Sequence, residues 1–214
     1  MTIRHHLTDQ LLMAYSAGDL PEAFNLVVAT HVSLCDECRA RLAAYDAVGG
    51  AVIDTGDVAE MSDDSLMACL ARIDGLPQAN ARRPMKRAGI FPAPLADYVG
   101  GGPNKVRWRN LGMGVRQAIL PTGKDASARL LYIPAGQAVP DHGHRGLELT
   151  LVLQGAFRDE KDRFGPGDIE IADEAMEHTP VAEAGEVCIC LAATDAPLRF
   201  NAIIPRIAQP FLRI

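Results

Sequence analysis

The sequence predicts a multi-domain protein of α and β structure, in which a small helical bundle precedes an all-β barrel or jelly roll. Apolar residues recur at steps of three and four up to about residue 76, as on one face of a helix. From about residue 95 they occur in short segments of alternating polarity, which is typical of strands. Between the two lies a stretch rich in proline and basic residues. We therefore expect a helical domain at 1–76, a linker at 77–94 and a β domain at 95–214.

The bulk composition narrows the class of partner and the compartment. The chain of 214 residues is 48% hydrophobic and has a net charge of −6, which argues against a nucleic-acid-binding surface. The basic cluster at 82–87 reads as a solvated part of the linker. The N-terminus has no signal-peptide core, and no apolar run approaches the roughly 20 residues of a membrane helix. We expect a cytoplasmic protein with reduced cysteines, whose partner is a protein.

Three helices are predicted in the first domain. Residues with capping preferences and turn-forming glycines set their ends. The first helix begins at Thr8 or Asp9 and ends at Gly18, the second runs from Pro21 to about Tyr45 before Gly49-Gly50, and the third runs from about Ser62 to Gly75.

A metal-binding pattern lies in the second predicted helix. His31, Cys35 and Cys38 stand at i, i+4 and i+7, so a continuous helix would place them on one face. One imidazole and two thiols are three of the four ligands of a tetrahedral zinc site. The fourth ligand has to come from another segment, and zinc would then join that segment to the second helix.

The fourth ligand is expected before the first helix. His6 is our choice and His5 is the alternative. Cys69 is a third candidate, but its apolar position in the third helix favours core packing. The competing interpretation of the two paired cysteines is a redox dithiol. We favour zinc because a thioredoxin-type pair follows a strand at a helix N-terminus, whereas this pair is expected inside a helix.

The β domain is predicted from short apolar segments that proline and glycine turns separate. Evenly spaced short strands of this kind indicate a barrel or a jelly roll. The predicted strands are 106–109, 115–120, 128–133, 147–153, 168–171 and 187–191.

A second metal-binding pattern begins before the predicted strand 147–153 and extends just past its end. The residues Gly136, His142, His144, Glu148 and Gly155 stand at the spacing of the first cupin motif, matching it at every position. Because side chains alternate along a strand, His-x-His points two imidazoles to the same side. The segment therefore resembles the cupins, and the resemblance implies a metal site in a jelly-roll β-barrel.

The second cupin motif is looser. Residues 165–168 supply its turn and His178 its histidine, whereas Ala182 stands where the motif has asparagine. The resemblance implies a site that suits zinc, manganese or iron, and a metal-free cupin with a polar cavity is the alternative. The implied ligands of this second site are His142, His144, Glu148 and His178.

The whole chain resembles one family of regulators. His6 together with His31, Cys35 and Cys38 resembles the zinc-binding anti-sigma factors, and the added cupin domain resembles the ChrR-type anti-sigma factors of photosynthetic bacteria. This resemblance implies a protein with Zn²⁺ in each domain that binds an extracytoplasmic-function sigma factor 1:1 and inhibits it. It also implies release of the sigma factor in response to singlet oxygen or related oxidative stress, with the cupin domain as sensor.

The competing functional class is a metal-dependent cupin dioxygenase, in which an open metal position binds substrate. The sequence shows no substrate-binding pattern beyond the ligands, and the zinc domain would have no role in such an enzyme. We therefore expect a regulator and no enzymatic activity. Cys188 and Cys190 share one face of a strand, where they are either small buried residues or a redox pair, and we favour the former.

Overall fold

The structure, a computed structural model, describes residues 2–75, 87, 89–139, 142–143, 145–197 and 199–200. Of residues 142, 199 and 200 it describes only the backbone. Most of the predicted linker therefore lies outside the described residues. Across the part that is described, no helix has both the length and the apolar character needed to span a membrane.

Helices occupy the N-terminal half of the chain. Their bounds are α1 Asp9–Ser16, α2 Glu22–Val32, α3 Asp36–Asp54, α4 Ser65–Asp74 and α5 Ala93–Val99. As predicted, Thr8 caps α1, since its hydroxyl accepts a hydrogen bond from the Leu11 amide at 3.3 Å. The predicted third helix corresponds to α4, which ends at Gly75.

The predicted second helix is wrong as a single element, because it is two helices with a break before Cys35. Cys35 has extended backbone angles, and its Sγ accepts from the Cys38 amide at 3.4 Å in the place of a capping oxygen. The Ser33 hydroxyl donates to the Thr30 carbonyl at 2.7 Å at the end of α2. The predicted stop at Gly49-Gly50 is also wrong, since α3 continues to Asp54. Glycine costs a helix only about 1 kcal/mol relative to alanine, which a long helix tolerates.

The β region is antiparallel and begins after a 3₁₀ turn at Pro103–Lys105. The strands are β1 Arg109–Gly112, β2 Val115–Ile119, β3 Ser127–Ile133, β4 His142–Gly143, β5 Glu148–Gln154, β6 Phe157–Arg158, β7 Arg163–Phe164, β8 Ile169–Ala172, β9 Glu177–His178, β10 Val181–Ala182, β11 Cys188–Thr194 and β12 Arg199–Phe200. One sheet has the strand order β1-β2-β3-β11-β5-β8, and two smaller sheets have the orders β10-β6-β7 and β12-β4-β9.

Five of the predicted strands correspond to β2, β3, β5, β8 and β11. The strand predicted at 106–109 is displaced, because the pairing of β1 with β2 begins only at Arg109. A closed barrel stays a prediction.

A single apolar core joins the helices to the large sheet. Alternate residues of the central strands, such as Leu151 and Leu191, are buried in the same cluster as Phe24 and Val27 of α2. Phe91, near the end of the predicted linker, also belongs to this core and is fully buried, so this part of the linker packs against the folded chain. The helical region therefore lies directly on the sheet, while the proposed domain bounds stay a prediction.

The start of α2 is fixed to the sheet by polar contacts. The Glu22 carboxylate accepts hydrogen bonds from the Gly123 amide and from the Tyr98 hydroxyl, each at 2.8 Å. Burial, together with the hydrogen bond to Glu22, raises the pKa of Tyr98 to about 12. These hydrogen bonds fix the first turn of α2 to the sheet region. In the last turn, Nδ1 of His31 lies 3.0 Å from the Gly167 carbonyl.

Candidate metal centre at the helix–sheet boundary

Four of the predicted ligands meet at the corner between α2 and α3. Nδ1 of His6 lies 3.2 Å from Sγ of Cys35 and 3.8 Å from Sγ of Cys38, and Nε2 of His31 lies 3.3 Å from Sγ of Cys38. The four donor atoms all lie within 4.8 Å of one another. Zinc at about 2.3 Å from sulfur and about 2.0 Å from nitrogen places tetrahedral ligands roughly 3.5 Å apart. The donor set and its spacing therefore fit this metal.

The chain brings these donors together differently from the expected helix face. His31 ends α2, Cys35 caps α3 and Cys38 lies in the first turn of α3, so the break between the helices forms the corner. The pair of cysteines thus lies at a helix N-terminus, and our reason for rejecting a redox dithiol is wrong. What distinguishes this site is the close approach of a histidine nitrogen to each sulfur.

Both histidines are oriented by a second hydrogen bond. Nδ1 of His31 lies 3.0 Å from the Gly167 carbonyl. Because a carbonyl can only accept, Nδ1 carries the proton and the lone pair of Nε2 faces Cys38. Nε2 of His6 lies 3.3 Å from the Glu37 carboxylate, which leaves Nδ1 for the cysteines. Such partners fix the tautomer and the ring orientation of metal-binding histidines.

Burial keeps two of the donors, His31 and Cys38, uncharged when no metal is bound. Loss of hydration lowers the pKa of His31 to about 4, so its imidazole is neutral at neutral pH. Loss of hydration raises the pKa of Cys38 to about 11, so its thiol is protonated there. A metal ion that binds must therefore displace the Cys38 proton.

The alternative fourth ligands lie elsewhere. His5 turns toward the sheet, with Nε2 3.0 Å from the Asp162 carboxylate and its ring 4.4 Å from that of Phe164. Cys69 is exposed on α4, so our expectation that it packs in the core is wrong. The reason is that α4 leaves its apolar side chains at the surface.

A second group of titratable side chains surrounds His178 in the β region. Nδ1 of His178 lies 3.1 Å from the Glu170 carboxylate and 3.6 Å from that of Asp159, and these three residues could hold a metal ion. Burial raises the pKa of Glu170. Burial alone would lower the pKa of His178, but the hydrogen bond to Glu170 and the nearby carboxylates raise it.

Asp159 and Glu170 were not among the predicted ligands of this site. A signal for Glu170 was present, because it stands between two isoleucines of a strand and would be an unusual residue to bury without a role. In the sheet it pairs with Thr150, which is also buried.

The other predicted ligands of this second site are only partly described. Glu148 begins β5, and its carboxylate accepts from the Thr150 hydroxyl at 3.1 Å. The backbone of His142 pairs directly with that of His178. The side chain of His142 and the whole of His144 lie outside the described residues, so this ligand set stays a prediction.

Cys188 and Cys190 are buried with their sulfurs 3.5 Å apart. A hydrogen bond to Cys188 and burial both raise the pKa of Cys190. A protonated buried thiol is a poor nucleophile, which agrees with the interpretation as small core residues.

Comparison with known proteins identifies the family. Residues 99–196 match the family described as the ChrR cupin-like domain. The chain is 68% identical to the anti-sigma-E factor ChrR of Cereibacter sphaeroides, with 100% of both chains covered. It is also similar to a chain in the crystal structure of Rhodobacter sphaeroides SigE in complex with the anti-sigma ChrR, with 65% identity, a TM-score of 0.79 and coverage of 91% of this chain and 100% of that chain. The chain therefore belongs to the ChrR family of anti-sigma factors.

Proposed function

We propose that this protein binds an extracytoplasmic-function sigma factor of the SigE type in a 1:1 complex in the cytoplasm, and thereby inhibits it. The observation that carries this proposal is the full-length similarity to an anti-sigma-E factor, joined by the similarity to a structure in which ChrR is in complex with SigE. Anti-sigma factors are regulators, so we assign no enzymatic reaction, and no observation favours the dioxygenase alternative.

Zinc is the metal that we assign to the first centre. His6, His31, Cys35 and Cys38 would hold it, and the two thiols favour zinc over the harder divalent ions. A bound structural zinc contributes on the order of 10 kcal/mol or more to the folding of a small domain. Here it would fix the segment before α1 to the corner of α2 and α3, giving a zinc-stapled helical bundle.

The surface that meets the sigma factor is assigned to α4 and the end of α3. Leu66 is 67% exposed, Ile73 is 60% exposed and Ile53 is 80% exposed. The same two helices also expose Val52, Met67 and Leu70. A helix as short as α4 is marginal in water without a partner to cover its apolar face. Several exposed apolar side chains grouped on two helices are typical of a protein-interaction site.

The β region is assigned as the sensor of singlet oxygen or a related oxidant. We infer that it closes as a cupin jelly-roll barrel, with helical, linker and cupin regions at 1–76, 77–94 and 95–214. Its metal would be held by His142, His144, Glu148 and His178 and could be zinc, manganese or iron. The buried polar groups around His178 support a site in this position.

The test removes both thiols from the first centre. We expect the Cys35→Ser, Cys38→Ser double variant to lose affinity for its cognate sigma factor by at least about 100-fold in a titration of the purified proteins, because the binding surface needs the zinc-dependent fold. A His5→Ala variant serves as control, since His5 neighbours the centre without entering it. Undiminished sigma binding by the double variant would refute the proposal.

A further inference from the structure

We propose that the zinc site of the helical region is held in shape by the sheet, through the turn Gly165–Asp168 that precedes β8. In this proposal Asp168 is a positioning residue for His6, and the Gly167 carbonyl positions His31. The inference rests on the proposed function, because it takes the first centre to be a zinc site. If the proposal holds, the zinc affinity of the helical region depends on residues of the β region.

Asp168 holds the segment that leads into His6. Its Oδ1 accepts hydrogen bonds from the Arg4 amide at 2.6 Å and from the His5 amide at 3.0 Å. Its Oδ2 accepts from the Gly165 amide at 2.8 Å, which fixes the carboxylate within its own turn. The Ile169 amide adds a longer contact to the His5 carbonyl at 3.4 Å. Hydrogen bonds to a buried carboxylate are among the stronger ones in proteins.

These contacts determine where His6 can reach. His6 directly follows His5, whose backbone is fixed on both sides by the turn. The next residue, Leu7, is buried in the shared core. His6 is therefore presented from a short segment with both ends fixed, and its Nδ1 lies 3.2 Å from Cys35. Without Asp168 the segment before His6 loses its main polar contacts with the sheet.

The same turn orients the second histidine. The Gly167 carbonyl accepts from Nδ1 of His31 at 3.0 Å, although the two residues are 136 positions apart in the chain. Gly167 has a φ of 89°, a conformation that favours glycine, and its amide donates to the Val152 carbonyl at 2.8 Å. The carbonyl is therefore held by the sheet, so both zinc-binding histidines depend on a single turn.

The turn also connects the two centres along the chain. Gly167 lies three residues before Glu170, which contacts His178 at 3.1 Å. Along an extended strand this separation corresponds to roughly 10 Å. If Glu170 moved relative to His178, the backbone of β8 would therefore move the preceding turn, whose groups position His6 and His31.

The experiment measures the first centre alone in the full-length protein. Cobalt bound by thiolates gives a thiolate-to-cobalt charge-transfer band, which a site of histidines and carboxylates lacks. We expect Asp168→Ala to weaken binding at the thiolate site by about 10- to 100-fold, measured by displacing cobalt with zinc under competition from a chelator. Asp173→Ala is the matched control, since Asp173 also accepts from a backbone amide, that of Ala175 at 3.0 Å.

The outcomes separate the two proposals. If the wild-type protein shows no thiolate-to-cobalt band, the proposed zinc site fails. If it shows the band and Asp168→Ala binds zinc as tightly as wild type, the positioning role of Asp168 is refuted. A role limited to stabilising the turn would lower the melting temperature while leaving the cobalt spectrum and the zinc affinity unchanged.

A second variant covers the case in which Asp168→Ala does not fold, as judged by its circular dichroism. Asp168→Asn keeps the shape and one acceptor oxygen but removes the charge. We expect it to fold and to bind zinc several-fold more weakly than wild type, with altered cobalt ligand-field bands. An affinity and a spectrum equal to those of wild type would overturn the inference.

Discussion

The two candidate metal centres differ in the charge of the groups around them. The first is built from two imidazoles and two thiols, with burial keeping His31 and Cys38 uncharged in the absence of metal. The second surrounds His178 with the carboxylates of Glu170 and Asp159. Thiols suit zinc in closed structural sites, whereas imidazole and carboxylate suit several divalent ions. The first centre is therefore suited to a permanent structural role, and the second is suited to exchange of its metal ion or to chemical change.

The centres also differ in the way they are placed in the fold. The first lies where the helices meet the sheet, and its donors come from three segments, the residues before α1, the end of α2 and the start of α3, with support from a fourth, the turn before β8. The second lies within the β region, where β8 and β9 supply Glu170 and His178. The turn before β8 contacts the first centre, and β8 itself supplies Glu170 to the second. A structural change at the second centre can therefore reach the first through a few residues of backbone.

The largest expected effect comes from the fourth ligand of the first centre. We expect His6→Ala to lower zinc affinity at the thiolate site by at least about 100-fold, because three ligands leave the site open. His5→Ala should change it by less than about threefold, because the His5 ring contacts Asp162 and Asp168 without being one of the four donors, and its backbone amide still donates to Asp168. Zinc titration of the full-length variants with a chromophoric chelator measures both. Equal losses in the two variants would contradict the assignment of His6.

A smaller effect is expected at the second centre. Glu170→Gln should weaken metal binding there by about tenfold, because it removes the charged partner that orients His178. The thiolate-to-cobalt band of the first centre and the binding of sigma should remain unchanged, because this isosteric change leaves the hydrogen bonds of Asp168 and Gly167 in place.

The matched control for Glu170 is Glu177→Gln, an exposed carboxylate next to His178 in sequence. Elemental analysis after exhaustive dialysis gives the metal content of both variants. If Glu170→Gln retained its metal as fully as Glu177→Gln, Glu170 would have no part in the second centre.

The sequence was sufficient for the features that depend on neighbouring residues. Thr8 and Gly75 mark helix ends through local capping preferences, and both were predicted. The four candidate ligands of the first centre could be picked out because histidine and cysteine are rare in the chain and cluster here, and the fold brings them together. The break before Cys35 was missed because apolar residues keep helical spacing across it, and this pattern outweighed the local start signal of Asp36 and Glu37 in the first turn of α3.

The groups that support each centre could not be predicted, because they act over long distances in the chain. The Gly167 carbonyl is a backbone atom, and no residue type marks it as the partner of His31. Asp168 was read as the start of a strand, and its contacts with Arg4 and His5 depend on how the N-terminal segment lies on the sheet. Sequence patterns indicate donors more readily than they indicate what orients them.

The last expected effect needs no substitution and is a dependence of zinc affinity at the first centre on pH. Cys38 has a pKa raised to about 11 without metal, and zinc binds the thiolate, so binding releases this proton throughout the neutral range. Zinc affinity should therefore rise by about tenfold for each pH unit between about pH 6 and 9 on account of Cys38 alone. His31 adds nothing to this slope, because its pKa of about 4 leaves it neutral over that range.

The slope of zinc affinity against pH tests whether the first centre contains an uncharged thiol, which the second centre lacks. It is measured by chelator competition at several pH values, after correction for the protonation of the chelator itself. The cobalt–thiolate band confines the readout to the first centre, whose buried thiol must lose a proton before the metal can bind. An affinity that stayed constant with pH would mean that Cys38 is already a thiolate in the metal-free protein. The contrast between an uncharged Cys38 in the first centre and the carboxylates of the second would then be wrong.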